Sequence, residues 1–383
     1  MVEQKLKIYK PLSEFIVEYV ERNADNKFSP VAVGKYGIRR RESIYSKELA
    51  SDYSKNKLIF KNTLTVGMGS KQIDIGVLIE DVTYSVSPAY HTYRISNIDA
   101  KYLDYCIQCR NQDMFSRFVK RGSRQGKTVD LKRWLTYEIP VYDESTQKEI
   151  VDRLNRANLL ITQRKQQLEL LEQLIKARFV EMFGDPVLNE KGWRVKPLSD
   201  MGKCKNGMNF HYDDSGVEIN CLGVGDFQNL TVIDNTAHLS TVSLNEMPSE
   251  EYLLRDDDIV FVRSNGNKAL VGRSVAVYPG DVATTFSGFC IRYRNSDDAV
   301  IVPYLLRVLK TDSIRRKMAG RGANIQNLNQ QILGTLLIPI PPIELQNQFA
   351  AFVAEVDKSK VAVQKSLDET QTLFDSLMQE YFG

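Results

Sequence analysis

Two stretches of the chain carry apolar residues in a 4,3 alternation. The first runs through Ile150, Leu154, Ala157, Ile161, Leu168, Leu171, Ile175 and Met182, with Arg164 and Arg178 as interruptions. The second runs through Phe349, Val353, Val356, Val363, Leu367, Phe374, Leu377 and Tyr381, interrupted by Lys360 and Thr370. Neither contains Pro or Gly before its end. Pro140 precedes the first and Gly184-Asp185-Pro186 stops it; Pro341-Pro342 precedes the second. This pattern predicts two helices of about 40 residues, each about 60 Å long at 1.5 Å per residue. A seam held over about four to five heptads argues for a coiled coil, with a long core helix of one globular domain as the alternative.

The segments before these helices alternate differently. Short apolar runs, such as Leu58-Ile59-Phe60, Gly76-Val77-Leu78-Ile79, Asp258-Ile259-Val260-Phe261-Val262 and Gly272 to Val277, are separated by turn residues. Gly67-Met68-Gly69 and Asn265-Gly266-Asn267 are read as turns between strands. Each body closes on a helical pattern, Ala100–Val119 in the first and Pro303–Met318 in the second. The two halves repeat. Ile139-Pro140-Val141 matches Ile338-Pro339-Ile340 at an offset of 199, which also pairs Gln147 with Gln346, Leu174 with Leu373, and Phe183-Gly184 with Phe382-Gly383. Lys10 to Glu14 matches Lys196 to Asp200 at an offset of 186, so the second body is the longer. The expected architecture is α+β, a mixed body followed by one long helix, used twice.

Composition narrows the class. The chain has 383 residues, of which 43% are apolar and 26% charged, enough for two or three domains with cores. No apolar run reaches the roughly 18–20 residues of a membrane span, and the first residues lack the apolar core of a secretion signal. Five scattered cysteines suit reduced thiols in a cytoplasm. The net charge of +3 is unevenly spread: residues 1–140 hold 24 Lys and Arg against 16 Asp and Glu, whereas residues 339–383 hold 3 against 7. A basic first segment is compatible with a polyanion partner or with a merely solvated surface.

Catalytic patterns are not assembled. Cys106-x-x-Cys109 stands alone inside a helical pattern, and His91, His211 and His238 are scattered, so no metal site is expected. There is no G-x-G-x-x-G and no P-loop. Binding chemistry is better represented. In the first body, Lys35, Tyr36, Arg39, Arg40 and Arg41 interleave cations with an aromatic and glycine; Lys71 and Gln72 follow a glycine turn; Arg121, Arg124 and Lys127 crowd one loop. The second body offers Lys203, Lys205 and Asn206; Arg263, Ser264, Asn265, Asn267 and Lys268; and Arg321 and Asn324. Arg and Lys hold phosphates or pair with guanine, and Asn and Gln pair with adenine. Each run alone is compatible with a solvated loop; recurring in two bodies, they favour DNA.

The order of these motifs resembles the specificity subunit of type I restriction-modification enzymes, over essentially the whole chain. The segments that carry it are Glu138-Ile139-Pro140-Val141 with Gln147 and the helix ending Arg178 to Pro186, their counterpart Leu337 to Pro342 with Gln346, and Gly192-Trp193 with Pro197-Leu198. The resemblance implies two target-recognition domains, residues 1–140 and 187–338, each reading one half of a bipartite, asymmetric site in double-stranded DNA. It implies two long helices, within residues 141–186 and 339–383, packed as an antiparallel coiled coil that sets the spacing. The seam would contain Ile150, Leu154, Ile161, Leu168, Leu171 and Ile175 against Val356, Val363, Leu367, Phe374 and Leu377. Two methyltransferase subunits carrying S-adenosylmethionine would dock on it, and a restriction subunit can add to them. This chain itself would hold no cofactor and no catalytic residue. Two other readings stay open: the recognition part of a self-contained methyltransferase–nuclease, and a structural coiled-coil interaction protein.

Overall fold

The computed structural model describes residues 7–34, 37–44, 52–122, 126–210, 215–227, 230–319 and 327–383. The chain divides into two compact units, Met1–Gln167 with Val363–Gly383, and Leu168–Ala362. Each long helix therefore contributes one part to each unit.

The first unit is built on a four-stranded antiparallel sheet in the order Ile16–Glu18, His91–Ile95, Thr63–Met68, Ile73–Leu78. Helix α1, Ala100–Phe118, begins where Asp99 caps the amide of Tyr102. Its apolar face, with Leu103, Cys106, Ile107 and Met114, joins Leu64, Val66, Ile73 and Ile75 of the sheet in one core. The Asn111 side chain stitches the two together: it accepts from the Ile73 amide and donates to the Ile73 carbonyl. The short helix α2, Leu131–Trp134, buries Trp134 in the same core.

Helix α3, Glu144–Phe183, starts at Asp143, whose carboxylate accepts from the Thr146 amide and hydroxyl. In the second unit a five-stranded sheet runs Gly202–Asn206, Cys290–Asn295, Asp258–Val262, Ser274–Val277, Val232–Ile233, beside a three-stranded sheet. Ile259 to Val262 are fully buried, which explains their unbroken apolar run. Asp258 starts that strand from a fully buried position, paired with the Arg294 guanidinium at 2.7 and 2.8 Å. Helices α4, Val302–Lys310, α5, Asp312–Ala319, and α6, Gln330–Gly334, complete the unit with the first half of α7, Ile343–Phe382.

The repeat is physical. Ile8–Pro11 pairs with Glu138–Val141 as Arg194–Pro197 pairs with Leu337–Ile340. Tyr102 donates to the Pro140 carbonyl at 2.8 Å, and Tyr304 to the Pro339 carbonyl at 3.0 Å. Gln147 accepts from the Asp99 amide and donates to the Tyr142 carbonyl. Gln346 accepts from the Ile301 amide and donates to the Ala299 and Pro341 carbonyls.

The long helices pack antiparallel. In the second unit Phe183 meets Phe349, Arg178 lies over Phe352, and Glu172 pairs with Lys360. In the first, Ile150 and Leu154 share a core with Phe374 and Leu377, and Arg153 donates to Tyr381. Every expected seam residue is buried or half-buried: Ile150, Leu154, Ile161, Val363, Leu367, Phe374 and Leu377 in the first unit, and Leu168, Leu171, Ile175 and Val356 in the second. Lys360 interrupts the seam because it serves a charge cluster. Burial pushes the Glu172 carboxyl up, but hydrogen bonding to Lys360 and the Arg307 charge outweigh it and hold it below the ordinary glutamate range.

Two expectations fail. The pattern Pro303–Met318 is not one helix; it breaks at Thr311, which is extended (φ −66°, ψ 146°). Its hydroxyl bonds back to the Val308 carbonyl, and Asp312 and Ser313 open α5 with helix-starting chemistry. Gly67 and Met68 are not turn residues but end the strand Thr63–Met68; Gly67 is needed because a Cβ there would lie 2.4 Å from the Tyr90 ring. Among the described residues no helix is long and apolar enough to cross a membrane.

Candidate nucleic-acid interface

In the first unit, Lys71 and Gln72 occupy the turn between Thr63–Met68 and Ile73–Leu78. Gly69 shapes this turn: a Cβ would meet Asp74 Oδ1 at 2.5 Å and the Gln72 carbonyl at 2.7 Å. The hairpin Val119–Gly122 with Gly126–Val129 lies against it through Lys127 and the strand Thr63–Met68. Lys127 Nζ donates to the Ser70 carbonyl at 2.9 Å and sits 5.3 Å from the Phe115 ring centre. Lys71, Gln72 and Lys127 thus form one cluster, with the backbone of Arg121 opposite Lys127 in the hairpin register. The Arg121 side chain, Arg124, Lys35 and Tyr36 lie outside the described residues.

Arg39, Arg40 and Arg41 belong elsewhere. Arg39 and Arg40 line a groove of about 350 Å³ with Leu78, Glu80, Tyr84 and Lys101, at the far end of strand Ile73–Leu78 from Lys71. Arg40 donates to the Tyr84 hydroxyl at 3.1 Å, and Arg41 follows in a 3-10 turn. The structure therefore divides the first body's candidates between two places.

In the second unit the corresponding turn, between Asp258–Val262 and Ser274–Val277, carries Arg263, Ser264, Asn265, Asn267 and Lys268. It is held by side chain and main chain alike. Asn265 accepts from the Asn267 amide, and Asn267 caps the Ala269 amide. The Arg263 amide donates to the Phe289 carbonyl, and its carbonyl accepts from the Leu328 amide. Lys203 is exposed on the edge strand Gly202–Asn206. Lys205, on the same strand, is already engaged: its Nζ lies 2.6 Å from Glu251 and 4.3 Å from the Tyr252 ring centre. The Asn206 amide is bonded by Gln330, oriented so that Gln330 also donates to the Cys204 carbonyl. Arg321 and Asn324 lie outside the described residues.

Two residues beside this cluster escaped the sequence reading, Asn209 and Phe289, both exposed. Ser287-Gly288 before an aromatic is a turn signal; that the turn lies against the Arg263 loop is a matter of long-range pairing. These clusters supply cations, amides and glycines. The CxxC cysteines are not reactive in this setting, since burial pushes both Cys106 and Cys109 thiols up. Among the described residues no three His, Cys, Asp or Glu side chains gather as metal ligands.

Comparison with known proteins agrees with this layout. The family described as "type I restriction modification DNA specificity domain" matches residues 11–173 and again 190–370. The chain is 24% identical over 262 residues to the StySPI specificity subunit of Salmonella potsdam, covering 63% of this chain and 55% of that one. It is 26% identical to the EcoKI specificity subunit of Escherichia coli K12, over 44% of this chain and 38% of that one. These matches span about half or less of the curated relatives' length. In fold, the chain resembles the S subunit of a type I system from M. genitalium (TM-score 0.56, 14% identity, covering 100% of this chain and 98% of that one). It also resembles a chain from structures of complex assembly and conformational transition of the type I R-M system (TM-score 0.58, 15% identity, 100% and 98%). With its body-and-helix unit present twice and the family matched over both copies, the chain belongs to the type I restriction-modification DNA specificity family.

Proposed function

We propose that this chain is the DNA-reading subunit of a type I restriction-modification complex, each body reading one half of a bipartite, asymmetric site. The observation that carries this reading is the same strand–turn–strand in both units, loaded with Lys71 and Gln72 in one and Arg263 to Lys268 in the other. Amides and guanidinium groups there suit base edges, and lysines suit phosphates. The differing side chains on the two turns suit an asymmetric site.

The helices take the spacer. A 40-residue helix is about 60 Å long, and one turn of B-DNA rises about 34 Å. Their outward faces suit partner docking: Leu174 and Leu373 stand at repeat-equivalent positions, 48% and 54% exposed. One such leucine in each unit fits two copies of one partner, a methyltransferase subunit. S-adenosylmethionine, adenine methylation and cleavage then belong to partner subunits, and exposing the adenine falls to the partner that modifies it.

The test is to co-express the chain with its methyltransferase, isolate the complex and map methylated adenines. A bipartite motif of fixed spacer supports the reading. No complex and no methylation refutes it.

A further inference from the structure

We propose that Phe289 reads a thymine 5-methyl group in the half-site taken by the second unit; this rests on the DNA-reading function proposed above. The ring is 62% exposed, although Phe286 and Cys290 on either side of its turn are fully buried. The turn beneath it is fixed. The Phe289 carbonyl accepts from the Arg263 amide at 2.8 Å, and its amide donates to Ser287 Oγ at 3.3 Å. The Gly288 amide donates to the Met208 carbonyl at 2.6 Å. Gly207 and Gly288 allow this approach: a Cβ on either would lie 2.1 Å from the Ser287 carbonyl or Asn209 Oδ1.

An apolar ring is thus held on a braced turn among polar groups: Asn209 against Gly288, and Arg263, whose guanidinium reaches towards the Gly288 carbonyl at 3.4 Å. In the major groove, base edges present hydrogen-bonding atoms and a single kind of apolar group, the thymine methyl. Amide and guanidinium groups around one aromatic match a methyl among acceptors. The ring is not repeated at the equivalent position of the first unit. Aligned on the bonds Ser96 to Phe15 and Ser296 to Met201, position 289 corresponds to Ala89. The methyl contact therefore belongs to one half-site.

The experiment uses the full chain in complex with its methyltransferase. Duplexes carrying the mapped target are made with each thymine of the second half-site replaced singly by deoxyuridine. Binding is read by fluorescence anisotropy for wild type and Phe289→Ala; the site is exposed, and a thermal melt confirms folding. The expected result is one replacement that weakens wild type about fourfold, as one methyl's burial predicts. Phe289→Ala should bind the native duplex at least that much more weakly and be indifferent to the same replacement. Equal sensitivity of both proteins at every position overturns the proposal, as does a half-site without thymine. So does a rise in 2-aminopurine fluorescence at one step with wild type alone, which would show insertion between base pairs. If wild type itself does not select the target, the DNA-reading function fails with it; if wild type selects and Phe289→Ala is unchanged, only the role of Phe289 fails.

Discussion

Replacing Gln346 with leucine keeps the side chain's size and removes three hydrogen bonds. Gln346 is fully buried. Its Oε1 accepts from the Ile301 amide at 3.0 Å, and its Nε2 donates to the Ala299 and Pro341 carbonyls, both at 2.8 Å. Leucine leaves one amide and two carbonyls without that partner, at about 1 kcal/mol or more each. Burying the extra methyl surface returns part of this, so the net loss should be about 2–4 kcal/mol. Gln147→Leu removes two bonds and should cost less, about 1–3 kcal/mol. Urea unfolding followed by far-UV circular dichroism and tryptophan fluorescence measures both. Gln346→Glu adds a sign: a carboxylate would face two carbonyl oxygens, so its pKa should rise and the variant should regain stability as pH falls. A loss below 1 kcal/mol for Gln346→Leu, or a larger loss for Gln147→Leu, would refute the claim that this glutamine ties each long helix to its body.

Other expectations follow from single contacts. Burial, helped by the Arg307 charge, lowers the Lys310 pKa to about 8. The unfolded chain then binds more protons between that pH and the free-lysine value of about 10.4, so stability should rise with pH across that window. Lys310→Met should remove this rise and stabilise the fold at pH 7 by about 1–2 kcal/mol, after loss of the bonds to Thr231 and to the Leu230 carbonyl, in urea unfolding at pH 7 and 10. Arg263→Ala should weaken target binding by about 1–3 kcal/mol and relax one base position in a binding-site selection. Lys127→Ala should weaken all sequences alike and lower the salt slope by about one in anisotropy titrations.

The seam was legible because apolar spacing alone decides it, down to Ile175 and Val356. The break at Thr311 was not, because Leu305, Leu309, Ile314 and Met318 are buried on both sides of it and keep the apolar signal going. The repeat exposed Gln147 and Gln346 as a pair, but not their bonds, since Asp99 and Ile301 share no side-chain type and act through backbone amides. At the interface, sequence shows which residues are cationic and not which are committed. Lys205 reads like Lys203 until the fold brings Glu251 and Tyr252 to it. Phe289 reads like a core residue until the turn exposes it.

If each body reads its own half-site, specificity should move with the body. The decisive experiment exchanges residues 1–140 for the equivalent segment of another family member and maps adenine methylation in the reconstituted complex. One half of the motif should change, with the other half and the spacer kept. A change in both halves, or in the spacer alone, would contradict the account.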